Sequence, residues 1–232
     1  ENGMIVSADY SQIELRLLAS FSGDEKLILA FNNGEDIHAR TASEIFGVPL
    51  SDVTPELRRQ AKAINFGIVY GISDFGLSQN IGITRKEASN YIKLYFERYP
   101  NIETYMKSNV EYCRKFGYIK TIFGRIRPIP EINSSNYNIR TFGERAAMNM
   151  PLQGSASDII KLAMVKIFDE FNKKQLKSKI IVQVHDELVV DCYPGEMEMV
   201  KDILRRNMEN VIDLSVKLSV NIECGKTWFD AK

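Results

Sequence analysis

Ile180–Val190 reads IIVQVHDELVV, in which two apolar runs are separated by the polar triplet at positions 185–187. Two short apolar runs with a polar turn between them are typical of a β-hairpin. A further apolar strand is expected over Met4–Ala8, and another over Val216–Glu223, after a helix from Glu196 to Val211. The predicted strands therefore lie at the two ends of the chain.

The long middle of the chain is predicted to be mostly helical from Asp24 to Tyr112. Thr54 is followed by a proline suited to a first helical position, and Thr84–Glu87 fits a capping box. A hairpin or ordered loop is expected over Tyr118–Ile132, and helix resumes from near Arg140 to about Phe171. Strands at both ends with helices between them predict an α+β domain that a helical subdomain interrupts.

The composition narrows the class of protein. The chain has 232 residues, of which 44% are hydrophobic and 26% charged, as expected of a globular domain. Its 30 basic and 30 acidic side chains cancel, so any surface for nucleic acid must be local. The three cysteines form no CxxC pair, which argues against a zinc site, and no apolar run approaches the ~20 residues that span a bilayer.

Two carboxylates stand where predicted strands end. Asp9 follows the Met4–Ala8 strand, and Asp186 lies at the tip of the hairpin. Each could be an ordinary cap or turn residue. Together they meet the minimal requirement for Mg²⁺, which takes one or two carboxylates plus substrate phosphates.

Thr54–Gly71, TPELRRQAKAINFGIVYG, predicts a helix with two different faces. The residues of one face fall within about 60° of one another and indicate a core contact: Leu57, Ala61, Ile64 and Ile68. The opposite side carries a row of residues four apart: Arg58, Lys62, Phe66 and Tyr70. A solvated face accounts for the two cations but not for the aromatic residues that continue the row. Cations neutralise phosphate and aromatic rings stack on bases, so the row suits a nucleotide.

A second row of polar residues, also four apart, consists of Arg145, Asn149 and Gln153. It predicts either a polar surface stripe or contacts to the minor-groove acceptors that every base pair presents. Ser11–Glu14 fits the S-x-x-E pattern, so a capping box is one interpretation of Glu14. His38 and His185 are the only histidines, too few for a typical zinc site.

These segments resemble, in order and spacing, the motifs of family A DNA polymerases, the bacterial DNA polymerase I type. The matching segments are Asp9–Arg16 (motif A), Arg58–Gly71 (motif B), Arg145–Gly154 (the helix before motif C) and Val184–Glu187 (motif C). One such motif alone is weak, but four in order are specific. The resemblance implies an antiparallel palm sheet with a helical fingers subdomain inserted between its strands. It places the palm at residues 1–22 and 141–232 and the fingers at 23–140.

The resemblance also implies a role for each residue. Two Mg²⁺ ions would be held by Asp9, Asp186 and the carbonyl of Tyr10, with Glu187 beside them. The triphosphate would be held by Arg58, Lys62 and His38, and Lys62 could also protonate the leaving group. Phe66 and Tyr70 would contact the sugar and the nascent pair, with Gln12 also at the nucleotide and Glu14 blocking a ribose 2′-hydroxyl. The primer–template would be contacted by Arg145, Asn149, Gln153 and His185.

The implied function is template-directed DNA synthesis from deoxynucleoside triphosphates, in replication and repair, by a monomer that binds no membrane. The implied location is the bacterial cytoplasm, in association with the nucleoid, with an organelle as the alternative. The family's thumb and exonuclease-related domain have no counterpart in this sequence, so weak activity is expected of this stretch alone. Two alternatives stay open: a two-metal nuclease, which also needs paired acids, and a DNA-binding fragment without catalysis. The cationic and aromatic row on Thr54–Gly71 disfavours the nuclease, which needs no surface for a triphosphate and a base.

Overall fold

The computed structural model describes residues 3–231 and shows an α+β architecture. The strands are β1 (Met4–Tyr10), β2 (Tyr118–Lys120), β3 (Ile126–Pro128), β4 (Lys179–Val184), β5 (Glu187–Cys192) and β6 (Val220–Gly225). The α-helices are α1 (Ile13–Ser22), α2 (Glu25–Asn32), α3 (Ile37–Phe46), α4 (Pro55–Val69), α5 (Asp74–Ile81), α6 (Arg85–Arg98), α7 (Pro100–Phe116), α8 (Tyr137–Lys173) and α9 (Met197–Glu209). Within residues 3–231, no helix is both long enough and apolar enough to cross a membrane.

Four of the strands form one antiparallel sheet in the order β4-β5-β1-β6. Side chains alternate between the two faces of a strand, so Val6, Ala8 and Tyr10 of β1 share one face, and all three are buried. The Tyr10 hydroxyl donates a hydrogen bond of 2.7 Å to the carbonyl of Met208 in α9. Burial raises the pKa of Tyr10 well above its ordinary value. This face is therefore the core of the sheet, and Asp9 lies on the other one.

The chain forms two compact units. One comprises the chain up to Ile13 together with the part from Ser155 onward, and the other is Glu14–Gly154. The four-stranded sheet belongs to the first unit, and helices α2–α7 with the β2–β3 hairpin belong to the second. The unit boundaries fall within α1 and α8, whereas the sequence predicted boundaries after residues 22 and 140. The assignment of palm and fingers stays a prediction.

Local signals set most of the helix ends. The Thr54 hydroxyl accepts a hydrogen bond of 3.2 Å from the amide of Leu57 at the start of α4. Thr84 and Glu87 form the predicted capping box of α6. Gly117, with a φ of 77°, ends α7 in the left-handed conformation that glycine adopts without strain. The core face predicted for α4 is also confirmed, since Ala61, Ile64 and Ile68 are buried and Leu57 is half-buried.

The last strand begins later than predicted, at Val220 instead of Val216. Its partner explains the difference. Tyr10 of β1 pairs with Val220, and the chain then turns into α1, so no neighbouring strand continues alongside residues 216–219. Val216 and Leu218 are buried nevertheless, which is why the segment has the alternating apolar pattern of a strand.

Candidate functional site

The predicted acids come together at one end of the four-stranded sheet. Asp9, the penultimate residue of β1, pairs with Glu187, the first residue of β5. Asp186 immediately precedes Glu187, and its carbonyl accepts a hydrogen bond of 3.2 Å from the amide of Tyr10. Directly opposed residues on antiparallel strands have Cβ atoms about 5 Å apart. The three carboxylates and the backbone of Tyr10 therefore lie at the same end of the sheet.

The hairpin that carries Asp186 has a strained turn. Val184 pairs with Glu187, so the turn consists of His185 and Asp186. His185 has a φ of 52°, a left-handed conformation that is uncommon outside glycine. The carbonyl of His185 accepts a hydrogen bond of 2.7 Å from the side chain of Gln183. Strain of this kind concentrates at functional sites, where the surrounding structure holds it in place.

Glu187 is held differently from the two aspartates. Its Oε1 accepts one hydrogen bond of 2.6 Å from the Ser7 hydroxyl and another of 2.6 Å from the indole Nε1 of Trp228. Ser7 lies two residues before Asp9 in β1, so the Glu187 carboxylate reaches back along the sheet, away from the end of the strand. This arrangement suits a neighbour of the acidic pair better than a principal metal ligand.

The oxygen atoms at this end of the sheet suit Mg²⁺ as ligands. The carboxylates of Asp9 and Asp186 and the carbonyl of Tyr10 are hard ligands, which Mg²⁺ prefers. Within residues 3–231, no group of three or more His, Cys, Asp or Glu side chains could enclose a metal ion. A small donor set of this kind fits an ion that completes its coordination with water and substrate phosphates.

A cationic surface lies on α3 and α4. Asp36 caps α3, with Oδ1 accepting hydrogen bonds of 3.0 Å from the amides of His38 and Ala39. Its other oxygen, Oδ2, accepts a hydrogen bond of 2.6 Å from Nε of Arg58. Burial alone would raise the pKa of Asp36, but the hydrogen bonds from Arg58 and the two amides outweigh it and lower the pKa. Arg58 is thus fixed beside a helix N-terminus, where anions bind favourably.

His38 joins this surface as a neutral group. It is only 2% exposed, and its ring centroid lies 5.8 Å from that of Phe66 on α4. Burial, and then the positive charges of Arg58 and Lys62, lower the pKa of His38 to about 4, against the opposing effect of Asp36. At neutral pH the ring is therefore uncharged and acts through hydrogen bonds.

The aromatic half of the α4 row borders a cleft of about 450 Å³. The residues that line it are Ala63, Phe66, Gly67, Tyr70, Ile72, Ser73, Gly76, Asn80 and Arg145. Tyr70 is 44% exposed, so its ring is accessible to a planar ligand. The cleft joins two rows of residues that the sequence predicted separately, one on α4 and one on α8.

Gly71 allows α8 to pack against the end of α4. Its φ is 65°, and a Cβ there would lie 2.8 Å from Cε of Met148 and 3.1 Å from Cγ of Arg145. Asn149 makes a long contact of 3.5 Å from Nδ2 to the carbonyl of Val69. Gln153 is exposed one helical turn further along α8. The structure thus brings Arg145 to the cleft beside Phe66 and Tyr70 and Asn149 to the last residue of α4, with Gln153 continuing the row.

Gln12 and Glu14 lie at the start of α1. Gln12 has a φ of 53°, and its Oε1 is buried without a hydrogen-bond partner in residues 3–231. Such an atom is uncommon, and a donor on a ligand would satisfy it. Glu14 lies half-buried in the first helical turn, and both interpretations of this residue stay open.

Four residues with clear partners were not identified from the sequence: Ser7, Asp36, Asn65 and Trp228. Asp36 could have been found, because an Asp just before a helical segment is a common cap. Asn65 could have been suspected, because it lies on the apolar side of α4. The partnership of Ser7 and Trp228 with Glu187 had no local signal, since it joins distant parts of the chain.

The chain is similar to known polymerases over its whole length. The family described as DNA polymerase family A matches residues 1–230. DNA polymerase I of Caldicellulosiruptor bescii is 53% identical over 229 residues, 99% of this chain and 27% of that protein. DNA polymerase I of Bacillus subtilis is 51% identical over 229 residues, 99% of this chain and 26% of that protein. The chain therefore spans about a quarter of the length of these curated relatives.

A solved structure is also similar. It is described as the POL domain of Pol1 from M. smegmatis in complex with DNA primer-template and dNTP. The similarity has a TM-score of 0.95 at 44% identity and covers 98% of this chain and 40% of that chain.

Proposed function

Because the chain belongs to DNA polymerase family A, we propose that it carries the catalytic residues for template-directed addition of deoxynucleotides to a primer 3′-hydroxyl. The observation that carries the proposal is the pairing of Asp9 with Glu187 at the start of β5. This pairing brings Asp9, Asp186 and the Tyr10 backbone to the same end of the sheet. In the family's terms, residues 1–22 and 141–232 are the palm and 23–140 the inserted fingers.

Asp9, Asp186 and the carbonyl of Tyr10 would hold two Mg²⁺ ions. When bound, these ions lower the pKa of the primer 3′-hydroxyl and stabilise the charge that develops on the triphosphate. The protein would contribute by holding these residues in place before the substrate arrives, and the strand pairing and the Tyr10–Asp186 backbone hydrogen bond support this role. Glu187, held by Ser7 and Trp228, contributes negative charge beside the pair.

The α3–α4 surface would bind the incoming nucleotide. Arg58 and Lys62 neutralise the triphosphate, and Lys62 donates a proton to the leaving pyrophosphate. His38 donates a neutral hydrogen bond, while Phe66 and Tyr70 contact the sugar and the nascent base pair. Support comes from the cleft that adjoins the two aromatic residues. At the start of α1, Gln12 Oε1 would accept a hydrogen bond from the nucleotide and Glu14 would exclude a ribose 2′-hydroxyl.

The primer–template would be contacted by the polar row on α8 and by His185. Arg145, Asn149 and Gln153 carry donors that suit the minor-groove acceptors of any base pair, so they would test pair geometry without reading sequence. The chain as a whole has no net charge. We therefore expect this stretch alone to bind duplex DNA weakly, with an affinity that falls as the salt concentration rises.

The test is primer extension under single-turnover conditions with Asp9→Asn and Asp186→Asn. Each should slow nucleotide addition by about a thousandfold or more, because each removes metal-ligand charge that stabilises the transition state by several kcal/mol. The matched control is Asp191→Asn, an exposed acid further along β5, which should extend at the wild-type rate. Wild-type extension by either site variant would refute the assignment. Primer shortening without added nucleotide, lost in the same variants, would instead support the nuclease alternative.

A further inference from the structure

A turn over Thr227–Asp230 holds a tryptophan against the acidic end of the four-stranded sheet. Oδ2 of Asp230 accepts hydrogen bonds of 3.2 Å and 2.8 Å from the amide and the hydroxyl of Thr227. The amide of Asp230 donates in return to the carbonyl and the hydroxyl of Thr227, at 3.2 Å and 3.3 Å. A Cβ at Gly225 would lie only 2.5 Å from that of Asp230, so the turn folds back closely on the end of β6. Ala231, which follows the turn, is fully buried, so the turn is anchored on both sides.

This turn places Trp228 on the carboxylate of Glu187. The indole Nε1 donates to Oε1 of Glu187, and the Ser7 hydroxyl donates to the same oxygen, each at 2.6 Å. Hydrogen bonds to an ionised carboxylate are stronger than those between neutral groups, and two of them on one oxygen restrain its position. Ser7 is buried, whereas Trp228 is 37% exposed. Oε1 of Glu187 is thus held by one donor from within the sheet and by another from the turn.

The direction in which Glu187 is held matters because its backbone lies opposite Asp9. Directly paired residues of antiparallel strands point to the same face, with Cβ atoms about 5 Å apart. A glutamate side chain is one methylene longer than that of an aspartate, so the Glu187 carboxylate could swing to an ion bound at Asp9. Ser7 lies two residues back along β1, about 7 Å from Asp9. The two hydrogen bonds therefore draw Oε1 away from the end of the sheet.

We infer that Trp228 is a positioning residue: together with Ser7 it restrains Glu187 and prevents this carboxylate from becoming a direct ligand of the metal ion. The inference rests on the function proposed above, in which Asp9 and Asp186 hold Mg²⁺. This ion demands near-octahedral coordination and must keep positions for water and substrate phosphates. A third direct carboxylate would fill one of these positions and bind the ion more tightly. The restraint thus keeps the site open for the phosphates of the nucleotide.

The hydrogen bond itself can be observed without metal. The chain contains a single tryptophan, so ¹H–¹⁵N NMR shows one indole signal, which needs no assignment. Glu187→Ala should move this signal upfield in the folded protein, because the indole N–H loses its carboxylate acceptor. Glu198→Ala removes an exposed acid from α9 and should leave the signal in place. An indole signal that Glu187→Ala does not move overturns the inference.

Metal binding provides the second measurement, with Mn²⁺ as the probe because unbound Mn²⁺ can be counted by its EPR signal. Trp228→Phe keeps an aromatic ring but loses the N–H. It should bind Mn²⁺ about threefold to tenfold more tightly, because the charge of Glu187 is released toward the ion. Ser7→Ala removes the other donor and should shift the affinity in the same direction. Phe229 is an 89% exposed neighbour in the same turn, and Phe229→Leu should bind Mn²⁺ as the wild type does.

A double variant distinguishes a restraint on Glu187 from general support of the sheet. With Glu187→Gln no charge can be released, so adding Trp228→Phe should leave the Mn²⁺ affinity unchanged. A merely structural contribution of Trp228 would persist in that background. In Trp228→Phe alone, the KM for deoxynucleotide should rise although the ion binds more tightly. A loosened fold would not produce these opposite changes.

The failure of this inference and the failure of the proposed function give different results. Unchanged or weaker Mn²⁺ binding in folded Trp228→Phe and Ser7→Ala overturns the role of the turn, even where Asp9→Asn weakens binding as expected. An effect of Trp228→Phe that persists with Glu187→Gln also overturns it, since Trp228 then does not act through Glu187. If Asp9→Asn and Asp186→Asn bind Mn²⁺ like the wild type, the metal site of the proposed function fails instead.

Discussion

Asp36 both caps α3 and forms an ion pair with Arg58. Two substitutions separate what the cap and the ion pair contribute. Asp36→Asn keeps an oxygen that can cap the helix, since Asn and Asp are about equally good N-caps. It loses the negative charge that attracts Arg58. Asp36→Ala loses both the cap and the charge. The pair of variants therefore distinguishes what Asp36 does for the fold from what it does for the cationic surface.

The expected stability losses follow from the geometry. The side chains of Asp36 and Arg58 are 43% and 45% exposed, so water screens the ion pair, and its loss should cost at most about 1 kcal/mol of unfolding free energy. Loss of the cap should cost about a further 1 kcal/mol. Asp36→Ala should thus be about 1 kcal/mol less stable than Asp36→Asn in urea denaturation.

The effect on nucleotide binding should instead be the same in both variants. Arg58 released from Asp36 must be ordered again when the triphosphate binds, which costs about 0.5–1.5 kcal/mol for a long side chain. The KM for deoxynucleotide should therefore rise about two- to tenfold in both, with DNA affinity unchanged. Glu56→Gln is the control, because it breaks the neighbouring ion pair with Arg59 on α4 and should leave KM unaltered. An unchanged KM in Asp36→Asn would refute the idea that Asp36 prepares Arg58 for the triphosphate.

Two further predictions concern single acids. Glu14→Ala should raise ribonucleotide incorporation relative to deoxynucleotide if Glu14 blocks the 2′-hydroxyl; if it is only a cap, it should cost about 1 kcal/mol in a thermal melt and leave sugar selection unchanged. Glu44 has a lowered pKa in the folded state, so its stabilising contribution is present above the ordinary Glu pKa and is lost as the pH falls through the folded value. Urea titrations between about pH 6 and pH 3 should show a steeper fall in unfolding free energy for the wild type than for Glu44→Gln.

Much of the fold could be predicted because its signals are local. The caps of α4 and α6 depend on residues three positions apart, and the Ile180–Val190 hairpin on two adjacent apolar runs. The start of the last strand was predicted wrongly because strand length is not a local property. Pairing with β1 ends at Tyr10, and the sequence of residues 216–219 carries no trace of where its partner turns away.

The candidate site divides in the same way. The position of Asp9 and Asp186 at the ends of predicted strands was the local signal for considering them as a pair. That their strands are neighbours is known only from the structure. The residues that hydrogen-bond to Glu187, beside the two aspartates, could not be predicted. Trp228 reaches Glu187 from 41 positions away and Ser7 from 180, so these hydrogen bonds exist only after the sheet has formed.

Asn65 lies between these two cases. On a helical wheel it is about 40° from Ala61, well within the apolar side of α4. An amide in that position costs free energy unless it is hydrogen-bonded, so the sequence alone indicates that Asn65 has a buried partner. It does not indicate which one, because Thr41 and His38 meet Asn65 only when α3 packs on α4. The polar residue on the apolar side of α4 is thus one that ties this helix to α3, through the Thr41 hydroxyl and the ring of His38.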